Sequence, residues 1–266
     1  MYVDVERPDP AVALVRLNRP ERMNAMSFDV MVPFREALLQ AGADTSVRAV
    51  VVTGAGRGFS SGADQESAGT PPGAEGLTPP AYALRAMQAL EDVVLTLRRL
   101  PQPVIAAVNG PAIGGGLCLA LACDLRLAAP TAYFRAAGIN NGLTASELGL
   151  SYLLPRAIGS TRAADLMLTG RDMQADEAER VGLVSSVVDD VVGTAVETGR
   201  RIARLSQPGI ELTKRSLQAG IAASSLETQM TSEGLGQLYL RLLTDNFEES
   251  TLARKEGREP EFRDRR

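Results

Sequence analysis

Two glycine-rich segments carry the residue types from which a backbone anion site can be made. They are Gly54-Ala55-Gly56-Arg57-Gly58-Phe59-Ser60-Ser61-Gly62-Ala63-Asp64 and Asn109-Gly110-Pro111-Ala112-Ile113-Gly114-Gly115-Gly116. Each follows an apolar run that reads as a buried strand, and each is expected to lead into a helix. Glycine lets the backbone approach a ligand closely, and the first N–H groups of a helix have no partner inside it. Two such groups converging on one point stabilise a developing oxyanion, at about 3 kcal/mol per donor. Helix N-termini also hold phosphate, so phosphate binding is the rival reading. Neither segment ends in the Gly-Lys-Ser/Thr of a P-loop, and neither fits Gly-x-Gly-x-x-Gly. Taken singly, either turn also reads as a plain tight connection.

The chain of 266 residues contains no histidine. That removes Ser-His-Asp and Cys-His nucleophilic machinery and His-ligated metals. Acid–base chemistry therefore falls to carboxylates, with Lys, Tyr or Cys behind them. Cys118 and Cys123 have no metal-ligand spacing around them and read as reduced, buried small residues. A net charge of −4 argues against nucleic acid as a partner. Apolar runs such as Val104 to Val108 are too short to cross a bilayer, so no membrane span is expected. The segment Met1 to Glu6 carries acid and no basic region ahead of an apolar stretch, which makes a cytoplasmic protein the expectation.

The elements that would position the two turns follow from local patterning. Ala11 to Leu17 alternates as a strand, and Ser27 to Ala41 reads as a helix with Ser27 as N-cap and Asp29 in its first turn. Val47 to Thr53 and Val104 to Val108 are runs suited to strands buried on both faces. Residues 67–80, rich in Pro and Gly, form a mobile loop ahead of a helix from Ala81 to Leu100. That helix has apolar positions at Leu84, Met87, Leu90, Val94 and Leu97. A short helix to Ala122, a strand over Asp124 to Ala128 and a short strand at Gly182-Leu183-Val184-Ser185 follow. Helices are expected over 160–168, 175–181, 190–206 and 209–245. The whole is an α/β core with a helical C-terminal extension.

Read together, these segments resemble the crotonase (enoyl-CoA hydratase/isomerase) superfamily. The matches are Asn18-Arg19-Pro20 with Met23-Asn24-Ala25-Met26, Phe59 to Asp64, and Pro103 to Gly110 continuing to Gly116. Cys123-Asp124, Leu154-Pro155-Arg156-Ala157-Ile158-Gly159, Leu168-Thr169-Gly170 and Gly182-Leu183-Val184 complete the series. The resemblance covers about residues 10–264. It implies a crotonase-like spiral of ββα units over residues 1–200, with a helical trimerisation or lid region over 201–266. It also implies homotrimers that often pair into hexamers, and a coenzyme A thioester as ligand in acyl-CoA metabolism such as that of fatty acids. No separate cofactor is implied, because coenzyme A is part of the substrate. The N–H groups of Ala63 and Gly115 would hold the thioester oxygen. Asp64 and Gln65, with Gly114 and Gly138, would line the substrate site. Phe262 sits where the family commonly places an aromatic near the nucleotide, with Arg254, Lys255 and Arg258 as phosphate candidates or a solvated basic face.

The chain departs from the family where hydration is catalysed. Hydratases of this family add water with two glutamates, and Cys118 and Gly138 stand at those positions. Glu147 is the candidate substitute. Some family members, among them a phenylacetate-pathway isomerase and 4-chlorobenzoyl-CoA dehalogenase, place a catalytic Asp at the matching distance before their own Leu-x-Arg. Glu147 has an alternative reading, in which Ser146 caps the next helix and Glu147 favours its positive end. Cys118 lies among leucines and reads as packing rather than nucleophile. Asp64 reads as an orienting residue of its turn. Asn140 and Asn141 would position water or a polar acyl group. Two functions follow: an enoyl-CoA lyase or isomerase using Glu147, or an acyl-CoA carrier that keeps the hole without the acids.

Overall fold

The computed structural model describes residues 2–263. Strands β1 (Val3–Asp9) and β2 (Val12–Leu17) form an antiparallel hairpin, with Val3 opposite Leu17 and Val5 opposite Val15. Parallel to β2 lie β3 (Ala49–Gly54) and then β4 (Val104–Val108). A second, smaller sheet is built from β5 (Ala112–Ile113), β7 (Tyr133–Arg135) and β8 (Met173–Gln174). The large sheet continues through β6 (Leu125–Ala128) to β9 (Ser186–Val187), in the order β1-β2-β3-β4-β6-β9. This is the mixed α/β spiral with helical C-terminal region that the sequence implies.

Both faces of the large sheet are covered, which explains the unbroken apolar runs of β3 and β4. Val50, Val52, Ala106 and Val108 point into the main core with helices α1 (Phe28–Ala43), α2 (Pro79–Arg99) and α3 (Gly115–Ala122). Val51, Ile105 and Ala107 point the other way, against Val191, Ala195 and Val196 of α7 (Val191–Ala203). Successive side chains of a strand alternate faces, so a sheet packed on both sides needs apolar residues at every position.

Several local expectations change. The first glycine turn leads not into a helix but into an irregular stretch over 65–78, docked by buried Pro71 and Ala74. Helix α2 buries Val93, Val94 and Leu97, whereas Leu84 and Met87 are exposed and cover nothing within one chain. The strand expected at Gly182 to Ser185 lies at Ser186–Val187. Leu183 and Val184 lie in a bend ahead of it and both join the main core, whereas successive side chains of a strand point to opposite faces. The helix expected to follow Ser146 starts later, as α4 (Leu150–Ile158), and precedes α5 (Ser160–Thr169) and α6 (Ala175–Arg180). The single helix expected over 209–245 is two, α8 (Gln207–Gly220) and α9 (Leu226–Leu243), followed by α10 (Asn246–Glu256). Ser225 forces the restart by accepting the Thr228 N–H at 3.1 Å, an N-cap bond. Ser27 sits at the N-cap position of α1 without a side-chain cap bond. Among the described residues no helix is long and apolar enough to cross a membrane.

Candidate active site

The two glycine turns are stitched to one another and to the sheet. Asn109 at the end of β4 accepts the Gly54 N–H at 3.1 Å and donates to the Gly56 carbonyl at 3.0 Å. Asn24, fully buried, donates to the carbonyls of Ala55 and Gly58 at 3.0 and 2.9 Å and accepts from Arg19 N–H. Phe59 and Ser60 both donate to the Pro111 carbonyl, and Ile113 N–H returns a bond to Ser60 at 2.9 Å. The buried polar groups of the turns thus find partners in one another, as burial demands.

Two N–H groups stand outside this network. Met26 N–H donates to Gly62, and Asp64 N–H donates to Met26, which turns the intervening Ala63 N–H away from Met26. The Ala63 residue is exposed, and its N–H has no acceptor among the described residues. Gly115 is the first residue of α3, so its N–H has no acceptor within the helix. Gly62 brings the two together. It holds φ +83°, and a methyl group there would stand 2.6 Å from the Ile113 carbonyl and 3.2 Å from the Gly115 nitrogen. Only glycine meets both demands. The arrangement leaves two open backbone donors on adjoining turns, one of them at the positive end of a helix.

Asp64 anchors the exit of the first turn. Its buried carboxylate accepts from the N–H groups of Glu66 and Ser67 at 3.0 and 2.9 Å. Arg19 and Arg22 donate to it at 2.7 and 3.2 Å. Burial works to raise the Asp64 pKa, but the Ser67 and Glu66 amides and the two guanidiniums outweigh it and hold the group well below the carboxylate range. The Asp64 side chain is therefore ionised and ties the two arginines to the backbone of the turn. Gln65 beside it is exposed.

Glu147 lies at the mouth of the second turn. Its Oε1 is 3.2 Å from where a methyl group on Gly114 would stand, directly before the open donor of Gly115. The side chain is half-buried, no ion pair or hydrogen bond reaches its carboxylate among the described residues, and burial raises its pKa. The reading in which Ser146 caps the next helix does not hold. Leu148 and Gly149 both take left-handed conformations, at φ +44° and +82°, and turn the chain before α4 begins at Leu150 with Gly149 as N-cap. Glu147 is therefore outside the helix.

The two positions that depart from the hydratase pattern are occupied differently. Cys118 is fully buried in α3, and its thiol donates to the Glu147 backbone carbonyl at 3.5 Å. Burial, with the Glu147 charge adding to it, pushes the thiol far above its ordinary pKa, so it is not a nucleophile. Gly138 lies in a one-turn segment over residues 137–141 and is itself buried. Asn140 rests its amide against Gly170 rather than reaching toward Gly114, and Asn141 is exposed.

Phe262 stands apart from the hole within one chain. With Leu238, Phe247 and Arg241 it lines a cavity of about 470 Å³ among the C-terminal helices. Arg258 is engaged by Glu249 at 2.6 Å and Glu256 at 2.7 Å. Sequence reasoning missed the structural roles of Arg19, Asn24, Met26 and Asn109. All four were legible as parts of motifs, but their task, bracing the glycine turns, appears only in three dimensions. Among the described residues no group of Cys, Asp and Glu side chains is placed to hold a metal.

A ββα spiral that presses two glycine turns together, leaves a backbone donor open on each and sets one carboxylate beside them defines a crotonase-type protein. A sequence model described as enoyl-CoA hydratase/isomerase matches residues 7–265, and the chain belongs to that family. It is 66% identical over 262 residues to the probable enoyl-CoA hydratase EchA12 of Mycobacterium tuberculosis, covering 98% of this chain and 92% of that protein. A solved probable enoyl-CoA hydratase/isomerase from Mycobacterium abscessus is 64% identical, matches both chains over 100% of their length and superposes with a TM-score of 0.95. A solved monofunctional enoyl CoA isomerase from M. smegmatis is 59% identical, with 86% of this chain and 98% of that one covered and a TM-score of 0.73.

Proposed function

We propose that this protein is an enoyl-CoA isomerase that moves a carbon–carbon double bond by a 1,3-proton shift, with Glu147 as its single acid–base. The observation that carries the reading is the placement of Glu147 next to Gly114, one residue from the open Gly115 donor. In this mechanism the N–H groups of Ala63 and Gly115 bind the thioester oxygen of a 3-enoyl-CoA. Glu147 takes a proton from C2, the C–H electrons form a C1=C2 bond and displace the carbonyl pair onto the thioester oxygen, and the resulting dienolate is held by the two donors. The same carboxyl group then returns the proton to C4, giving the 2-enoyl-CoA and the starting enzyme. The raised pKa suits this work, because a carboxylate with a higher pKa is a stronger base for a carbon acid. Water addition needs two acid–base groups in the family pattern, and Cys118 and Gly138 supply none. The name of the M. smegmatis relative supports isomerisation, and the name of the M. tuberculosis relative keeps hydration as the competing activity.

The same reading places Asp64, Gln65, Gly114 and Gly138 around the acyl-CoA and Phe262 near the nucleotide bound by a neighbouring subunit. Steady-state assays of 3-enoyl-CoA isomerisation and crotonyl-CoA hydration, run on wild type and Glu147→Gln, test it. The expected result is isomerisation in wild type, loss of about 10³-fold or more in Glu147→Gln, and little hydration in either. Tight acyl-CoA binding by calorimetry with no turnover of a panel of thioesters would replace this reading with an acyl-CoA carrier.

A further inference from the structure

The segment that carries Glu147 rests on the two positions where the family's hydratases keep their acids. At one end, Thr144 crosses directly over Gly138. A methyl group on Gly138 would fall on the Thr144 carbonyl oxygen, 2.8 Å from its carbon and 3.3 Å from the Ala145 Cα. Leu143 N–H donates back to the Gly138 carbonyl at 3.0 Å, so the loop closes on the glycine backbone. At the other end, the Cys118 thiol donates to the carbonyl of Glu147 itself. Between these supports the chain makes an unusual bend, with non-glycine Leu148 in the left-handed region. A residue held there is strained and persists only where its surroundings enforce it. The Leu148 side chain packs beside Gly115, which fixes the direction in which Glu147 leaves the backbone.

We propose that Cys118 and Gly138 are positioning residues that seat the Glu147 segment, so that its carboxylate is carried to the mouth of the oxyanion site. The inference rests on the proposed role of Glu147. Gly138 acts by having no side chain, which admits the Thr144 backbone. Cys118 acts by its S–H, held as a neutral donor in an apolar helix where no other group competes for it. The missing acids are thus not simply lost: their places are filled by the supports of a different acid. A glutamate put back at Gly138 would evict Thr144 and displace Glu147 instead of converting the site to a hydratase. Burial alone raises the Glu147 pKa, the Cys118 thiol feels its charge, and no charged side chain among the described residues forms an ion pair with it.

The test uses the full-length protein with Cys118→Ala, Cys118→Ser, Gly138→Ala and Glu147→Gln. Isomerisation is followed against pH, and affinity for an unreactive acyl-CoA analogue is measured by calorimetry. Cys118→Ala is expected to lower kcat about tenfold or more, because an ångström of misplacement is expensive, while KM and analogue affinity stay within about twofold. Its acid limb in the pH–rate profile moves to lower pH, as a loosened carboxylate gains water. Cys118→Ser keeps a donor and recovers most of the rate and the wild-type limb. Gly138→Ala follows Cys118→Ala; should it fail to fold, the Cys118 pair alone decides. If Cys118→Ala keeps the wild-type kcat and limb while Glu147→Gln is inactive, the seating is overturned and the Glu147 reading stands. The seating is overturned equally if Cys118→Ala loses rate with an unmoved limb and serine does not rescue it. If Glu147→Gln matches wild type, both fall.

Discussion

Two carboxylates within the site are pushed in opposite directions, and the difference assigns their tasks. Asp64 is saturated with donors and stays ionised, so it shapes the turn that presents Ala63. Glu147 has burial without donors, which suits the proposed role of taking and returning a proton. Linkage turns this into a stability prediction. A carboxyl group whose folded pKa lies above its unfolded value stabilises the fold only while protonated, and that contribution is lost as pH rises from the unfolded value through the raised folded one. Ionised Glu147 therefore costs stability at neutral pH. Glu147→Gln is expected to raise Tm at neutral pH, with the gain shrinking as pH falls through the raised folded pKa and gone below about pH 4, where wild type carries a neutral side chain both folded and unfolded. Thermal melts of both proteins across that range check it; a lower Tm in the variant at neutral pH would mean that the carboxylate has a stabilising partner.

At the scale of elements, the strand–turn–helix unit around α3 and the strands β3 and β4 were legible because both faces of the sheet are packed, which writes an unmistakable apolar run into the chain. The turns were legible from their glycines. What the pattern did not reveal depends on long sequence separations. Arg19 meets Asp64 across 45 residues and Cys118 meets Glu147 across 29, and neither pairing leaves a local signal. The edge strand β1 was missed because its outward residues, such as Glu6 and Arg7, read as polar chain, and the bend at Leu148 was missed because nothing in its residue type announces a left-handed turn. Gly62 is where sequence and geometry agree most closely. Gly62→Ala combines an unfavourable φ with a collision at the Ile113 carbonyl, so it is expected to cost about 1–3 kcal/mol of stability. It should also weaken acyl-CoA binding and isomerisation together, because it pries apart the two donor turns. Denaturant melts and calorimetry measure both. Wild-type affinity in the Gly62→Ala variant would contradict the role given to the turn.

The whole molecule is unevenly covered. Helix α9 has no buried residue in one chain, and Leu226, Leu235, Leu238, Leu242 and Leu243 are all more than half exposed. Monomeric proteins rarely leave such a surface bare. The expectation is a homotrimer, or a hexamer made from two, in which this face is covered. Light scattering coupled to gel filtration should give a mass near three or six times the 28.2 kDa chain. Leu235→Glu with Leu242→Glu should shift it toward monomer; a monomeric wild type would contradict the assignment. We propose that the chain divides at about residue 200, with this helical region serving assembly and the spiral before it holding the two donor turns and Glu147.

The central claim is that one carboxylate moves one proton across an enoyl thioester. NMR of a 3-enoyl-CoA in deuterated buffer, incubated with wild type and with Glu147→Gln, tests it most directly. The predicted result is migration of the double bond to the 2-position in wild type, with protium carried from C2 to C4, little deuterium at C4 and no hydroxyl at C3, and unchanged substrate with the variant. Migration at the wild-type rate in Glu147→Gln, or a 3-hydroxyacyl-CoA as the main wild-type product, would contradict the account.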